Sequence, residues 1–340
     1  MSAAPASNIP PSSSTVSVSI IDTTSSIKGV DTWKFLSPSI KGHDYLSTLA
    51  FSFFIEHSAS KRKLMFDLGI RKDWQNSSPF LIGRFKMGGY ELTVKKSVRE
   101  ILEAEGIDGR DIEAVIWSHW HFDHTGNPDE FEKSTTLIVG PGFSSHKLPG
   151  YPKDPNSSIL ESDYAGRELK EIDFSGSDLK IGKLDAYDYF NDGSFYLLNS
   201  PGHAIGHLCA LARVTSSPDS FILMGGDAFH HAGELRPSPY LPLPADITPH
   251  PFQGCSSCPG EMFESLLPEK DSTKPFYIPS PQQKVPMHLD PDEAVRTIQK
   301  LQEMDVREDI LMAAAHDDSL YGIIDLFPKT ANNFVKEGEN

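Results

Sequence analysis

The stretch Ser118-His119-Trp120-His121-Phe122-Asp123-His124-Thr125-Gly126 decides how this chain is read. It sets three histidines and one aspartate into six positions, in the order H-x-H-x-D-H. Imidazole nitrogens and carboxylate oxygens are common protein ligands of zinc, and a catalytic site leaves one position open for water. Packed without a metal, four such side chains would all need polar partners at once. Just upstream, Ile112-Glu113-Ala114-Val115-Ile116-Trp117 is short, apolar and partly β-branched, the pattern of a buried strand. Gly126, Asn127 and Pro128 then signal a turn. The spacing predicts a loop of ligands at the end of a buried strand, tight enough for neighbouring side chains to face two metal ions.

Working outward, Val16 to Ile21 alternates apolar residues with Ser, an edge-strand pattern. Leu49 to Ile55 and Lys63 to Phe66 read as paired core strands around a turn at 58–61. Arg71 to Tyr90 reads as a long loop of the kind that forms lids, with Phe80, Leu81, Phe85 and Met87 either walling a pocket or packing locally. Val94 to Ala104 has helical spacing and stops at Gly106. Thr135 to Val139 is another buried strand, and Phe143 to Ser162 reads as irregular. Leu179 to Ala186, Phe195 to Leu198, Leu208 to Val214 and Phe221 to Met224 form a run of strands. Pro237 to Pro286 is a proline-dense insertion, stiff and poor in periodicity. Asp290 to Glu293 starts an acidic-capped helix with Ala294, Ile298 and Leu301 inward. Ile310 to Ala315 is the last core strand, and Asp317 to Phe327 reads as a closing helix.

The chain has 340 residues, 38% of them hydrophobic, and a formal charge of −16. That charge argues against sequence-independent nucleic-acid binding, which needs a basic surface. It does not exclude an anionic substrate, because bound dications reverse the local field. Cys255 and Cys258 form a lone C-x-x-C without a second pair, and with Cys209 they read as ordinary thiols of a reducing compartment. Residues 1–15 lack the charge and apolar core of a secretory signal and read as a disordered tail. No apolar run approaches membrane-spanning length. A cytoplasmic protein with one domain over residues 16–335, carrying the insertion at 237–286, is the expectation.

The H-x-H-x-D-H motif resembles the signature of the metallo-β-lactamase-fold hydrolases. Ser200-Pro201-Gly202-His203 resembles that superfamily's turn bearing a further histidine. Phe221-Ile222-Leu223-Met224-Gly225-Gly226-Asp227 resembles its strand ending in the bridging aspartate, and Met312-Ala313-Ala314-Ala315-His316-Asp317 its last ligand strand. The resemblance covers about residues 45 to 325 and implies a four-layer αβ/βα sandwich, in whose topology the insertion at 237–286 would fold over the site mouth. It implies one metal held by His119, His121 and His203, a second by Asp123, His124 and His316, and Asp227 as bridge. Asp67 matches an aspartate that braces the ligand loop; read alone it is a turn residue. Zinc suits this oxygen and nitrogen set, as manganese or iron would. Two ions roughly 3.5–4 Å apart would activate a shared water for attack on a carbonyl. Asp123 or Asp227 would then orient that water and pass on its proton.

Homoserine-lactone lactonases of the superfamily place a tyrosine three residues after the bridging aspartate; here that position is His230, followed by His231. His230 becomes a candidate proton donor to the substrate, with His231 the next candidate. The motifs around 117–126 and 225–237 look most like fungal proteins of this superfamily that include lactone and γ-lactam hydrolases of cyclic plant or microbial metabolites. The leading expectation is a dinuclear zinc hydrolase that opens a lactone or lactam of a small molecule, with Trp120 and Phe122 as aromatic walls or as core beneath the loop. The alternative is a thioester hydrolase, for which Lys95, Lys96 and Arg99 could form a basic approach. A third class is a non-hydrolytic member, an iron oxygenase or a metal-holding binding protein.

Overall fold

In a computed structural model, the described residues are 8–46, 48–248, 257–282, 284 and 287–337. Two six-stranded sheets come from consecutive parts of the chain. The first, in chain order, comprises β1 (Val16–Asp22), β2 (Phe51–His57), β3 (Lys63–Phe66), β4 (Ile112–Ile116), β5 (Thr136–Val139) and β6 (Leu169–Glu171). β1 to β3 pair antiparallel, and β3 to β6 run parallel. The second comprises β7 (Lys180–Ile181), β8 (Leu184–Asp188), β9 (Phe195–Asn199), β10 (Leu208–Thr215), β11 (Ser220–Met224) and β12 (Ile310–Ala313), antiparallel except for the last pair.

Strand alternation sorts the apolar residues into layers. Leu64 and Phe66 of β3 face Phe195 and Leu197 of β9 across a core shared by both sheets. Met65, between them, turns outward to pack beneath helix α2 (Val98–Ala104) with Val98 and Leu102. Tyr196 and Leu198 likewise turn outward against Ile298, Leu301 and Met304 of α3 (Pro291–Asp305). Helix, sheet, sheet and helix form the expected αβ/βα sandwich. Each fully buried Phe or Leu in it contributes about 1.5–3 kcal/mol of transfer free energy. Among the described residues no helix is long and apolar enough to cross a membrane.

Several local expectations change. Residues 8–15 are not a loose tail: Ile9 packs on the outer core of the second sheet, and buried Arg213 donates to the Pro10 carbonyl. The span 71–90 holds a helix, α1 (Pro79–Gly88), started by Ser78 and ended by Gly89 at φ 67°. The span 317–327 holds a single 3-10 turn, Asp318–Leu320, followed by a series of turns that covers the free edge of β1 through Phe327 N to Ile20 O (2.8 Å) and Ala331 N to Val18 O (2.8 Å). That cover removes the hazard of an open edge strand. Phe143–Lys147 is a short helix inside the span read as irregular. Of the insertion, Ile278–Pro279 pairs with Leu36–Ser37. Cys258 is a buried free thiol, while Cys255 lies outside the described residues.

Candidate metal centre

The candidate ligands sit at the carboxyl ends of four parallel or adjacent strands. β4 feeds the loop of His119, His121, Asp123 and His124; β9, β11 and β12 lead to His203, Asp227 and His316. Backbone bonds lock these ends together: Asp67 N to Ile116 O (2.8 Å), Leu208 N to Ser118 O (2.7 Å), Gly225 N to Ala313 O (2.8 Å) and Phe51 N to Ala315 O (2.8 Å). Gly202, at φ 126°, presses against α3 so closely that a Cβ there would stand 2.2 Å from Ala294 N.

All seven sequence-predicted ligands converge. His119, His121, His203 and Asp227 form one group, and Asp123, His124 and His316 another, the donor atoms within each lying inside 4.8 Å of one another. His203 Nε2 is 2.9 Å from His121 Nδ1 and 3.2 Å from His119 Nε2. A neutral imidazole has one N–H and one lone pair, so hydrogen bonding among three facing nitrogens cannot satisfy them all. Asp227 stands between the groups. Its Oδ2 is 3.4 Å from His203 Nε2, and its Oδ1 is 3.1 Å from both His124 Nε2 and His316 Nε2. Yet Asp227 Oδ1 and His124 Nε2 are buried without a hydrogen bond. Unsatisfied buried atoms aimed at common points, from oxygen and nitrogen donors, fit divalent metal ions.

The far nitrogens of the histidines are braced. Asp67, held at φ 60° at the end of β3, accepts from His124 Nδ1 (2.8 Å), from Ser118 N (2.6 Å) and from Ser118 Oγ (2.7 Å). That is the bracing position anticipated for it. His316 Nδ1 donates to the Leu49 carbonyl. Such partners fix which ring nitrogen keeps its lone pair for a metal. Burial holds His119 and His203 well below the ordinary imidazole range and His121 down to about 3, so their lone pairs are free. Burial also acts to lower His124, but the Asp227 and Asp67 carboxylates outweigh it and raise it.

Two residues near the centre carried no sequence motif. His207 Nε2 accepts from Asp227 N (3.0 Å), and its Nδ1 faces Ser200 O (3.1 Å). His288 lies with Nδ1 3.4 Å from His203 Nδ1. His207 is four residues past His203, a spacing that was visible; His288 lies just past the insertion, with no local signal. His230 is 5% exposed, and its Nε2 lies 3.3 Å from Asp227 Oδ2. Both its ring nitrogens lack hydrogen-bond partners. His231 turns away, accepting from Gly233 N (2.9 Å) and facing His43 and Tyr277.

A cavity of about 360 Å³ opens over the centre and includes Asp123, Asp227, His230 and His316 in its wall. Its apolar lining includes Ile27, Val30, Leu46, and Phe80, Leu81 and Phe85 of α1. Met87, expected with them, is 82% exposed and points elsewhere. Trp120 and Phe122 serve both anticipated roles, lining the cavity while packing on neighbouring clusters, Phe122 with its ring 4.6 Å from that of Phe85. Lys147, also in the lining, lies 2.9 Å from the centroid of the Trp120 ring, and burial pushes it down to about 8.

Residues 49–256 match the Metallo-beta-lactamase superfamily. The chain is 46% identical over 336 residues to "Gamma-lactamase FDB1" of Fusarium pseudograminearum, covering 97% of this chain and 81% of that one. It is 50% identical over 240 residues to "Gamma-lactamase MBL2" of Gibberella moniliformis, covering 70% of this chain and 100% of that one. A solved quorum-quenching N-acyl homoserine lactone hydrolase superposes with a TM-score of 0.60 at 16% identity, over 94% of this chain and 100% of that one.

Proposed function

This chain belongs to the metallo-β-lactamase superfamily and is a hydrolase of it, and from that premise we propose that it opens the ring of a lactone or lactam in a small, largely apolar metabolite, using two zinc ions. One observation carries the reading. A carboxylate with each oxygen turned to a different histidine group stands in the wall of a cavity that Ile27, Val30, Leu46, Phe80, Leu81 and Phe85 also line. The names of the gamma-lactamase relatives support a cyclic amide or ester as the class of substrate.

His119, His121 and His203 would hold one ion, Asp123, His124 and His316 the other, and Asp227 both. When bound, the ions supply Lewis acidity toward a carbonyl and a water acidified to near neutral pH. The chain does the rest. The Phe80, Leu81 and Phe85 wall seats the ring and excludes bulk water. Asp123 and Asp227 hold and move the proton of the attacking water. His230, within reach of Asp227 and free at both nitrogens, delivers a proton to the departing oxygen or nitrogen. Lys147 offers an ammonium to the carboxylate that ring opening creates. Lys95, Lys96 and Arg99 take no part in the cavity wall, where the basic side chains are Arg84 and Lys147.

The test is purified protein assayed against matched lactones, γ-lactams and acyl thioesters, with elemental analysis of the same sample. Turnover of a cyclic ester or amide, close to two zinc ions per chain and loss of activity on chelation are expected. Turnover of thioesters alone, or one ion or none, would overturn the reading.

A further inference from the structure

We propose that His288 is a positioning residue for His203, accepting the proton of His203 Nδ1 and so keeping the Nε2 lone pair of His203 turned toward His119 and His121. The inference rests on the reading of His203 as a metal ligand.

Direction follows from the far end of the chain of contacts. His288 Nε2 lies 3.1 Å from the Phe35 carbonyl oxygen. A carbonyl only accepts, so Nε2 carries the proton, and in a neutral ring Nδ1 is then the acceptor. His288 Nδ1 faces His203 Nδ1 at 3.4 Å. The proton between them therefore belongs to His203, and the opposite nitrogen of His203 is bare. That nitrogen, Nε2, is the one at 2.9 Å from His121 Nδ1 and 3.2 Å from His119 Nε2. Two imidazoles in series thus tie a candidate ligand to a backbone carbonyl.

The anchor is firm at each step. The Phe35 carbonyl also accepts from Ser280 N (2.7 Å), within the pairing of 36–37 with 278–279. The backbone beside His288 grips the His203 turn twice, Leu289 N to His203 O (2.9 Å) and Asp290 N to Gly202 O (2.9 Å). His288 is 3% exposed, so water does not compete for its Nδ1. The segment leaving the insertion therefore aims a ligand, and its Met287 lines the cavity. A competing use exists, since His203, His230 and His288 are themselves close enough to hold a metal ion.

Histidine nitrogen NMR on the full metal-free chain tests the hydrogen bond alone. His203 should appear as the Nδ1–H tautomer and His288 as Nε2–H; an Nε2–H tautomer at His203 would overturn the proposal. Zinc affinity, measured by chelator competition, tests the consequence. His288→Leu should weaken one zinc site by about 10–100-fold, as loss of a ligand's hydrogen-bond partner does elsewhere. His288→Asn, which retains an acceptor near the Nδ1 position, should restore most of it, with equal melting temperatures for the metal-free variants. Equal weakening in both variants would leave only a packing role and end the idea. A third zinc ion in the wild type, lost in His288→Leu, would make the triad a site of its own and equally end it. If His288→Leu fails to fold, His288→Asn retaining wild-type affinity supports the proposal and the tautomer measurement decides it. Absence of zinc binding by the wild type would instead sink the function proposed above, leaving the tautomers to judge the hydrogen bond.

Discussion

The two halves of the candidate ligand set are built in opposite ways. His119, His121, Asp123 and His124 share one loop after β4, and one aspartate, Asp67, braces it through three hydrogen bonds. His203, Asp227 and His316 come from the ends of three strands, and each has its own support: His288, His207 and the Leu49 carbonyl. The compact half is local in sequence and depends on a single polar knot. The dispersed half depends on the second sheet, α3 and the insertion being assembled. Damage to the first should therefore appear as lost metal affinity. Damage to the second should appear as lost stability as well.

The largest effect should come where the halves meet. Asp227→Ala is expected to lose at least one metal ion and nearly all turnover, read by elemental analysis and a rate assay; retained metal and rate would mean the halves are not joined there. Next is His230, which belongs to the dispersed side. His230→Ala should keep both metals while lowering kcat by roughly 10²–10⁴-fold, the range of general acid catalysis. His230→Gln separates hydrogen bonding from proton transfer, and His231→Ala should leave the rate alone. An unchanged rate in His230→Ala would return the donor role to solvent.

Smaller effects probe the bracing itself. Asp67→Ala strips the acceptor from Ser118 and His124 and should weaken metal binding by about 10–100-fold. Against it stands Gly202→Ala, whose Cβ would meet Ala294 N at 2.2 Å. Overpacking of this kind should cost about 1–3 kcal/mol, seen in thermal melts of the metal-free protein. If Gly202→Ala leaves the melt unchanged, the dispersed half is not as dependent on α3 as the contrast requires. Smallest of all is Met87→Ala, a surface change worth within about 0.5 kcal/mol and no change in KM; a raised KM would bring Met87 back into the cavity wall.

The same contrast explains what could be read from the residues. The compact half is one motif, and its strand, loop and turn were all legible, as was the alternation that builds both sheets. The dispersed half was legible only through resemblance, since nothing local marks His203 or His316 as partners of His119. His288 was invisible because its role arises from two long-range contacts, to Phe35 and His203. The helix at 79–88 was missed for a different reason. Its Ser78-Pro79 start and Gly88-Gly89 stop are written plainly, but its weak apolar stripe let loop length outweigh capping. The closing segment went the other way: the acidic start at 317–318 looked like a helix, but Gly322 at φ 76° breaks it and β1 recruits the chain after it as an edge cover.

That helix has a consequence for how such a protein diversifies. α1 starts and stops on its own signals, with Ser78 Oγ accepting from Leu81 N (3.3 Å) and Gly89 turning the chain away. It carries no candidate ligand and none of the braces described, yet Phe80, Leu81 and Phe85 shape the cavity. The ten residues between its caps therefore change the cavity wall without touching a candidate ligand directly, except where Phe85 packs on Phe122 between His121 and Asp123. A library confined to α1, with Phe85 kept as the support of Phe122, should change the cavity's shape while metal content stays at the wild-type level.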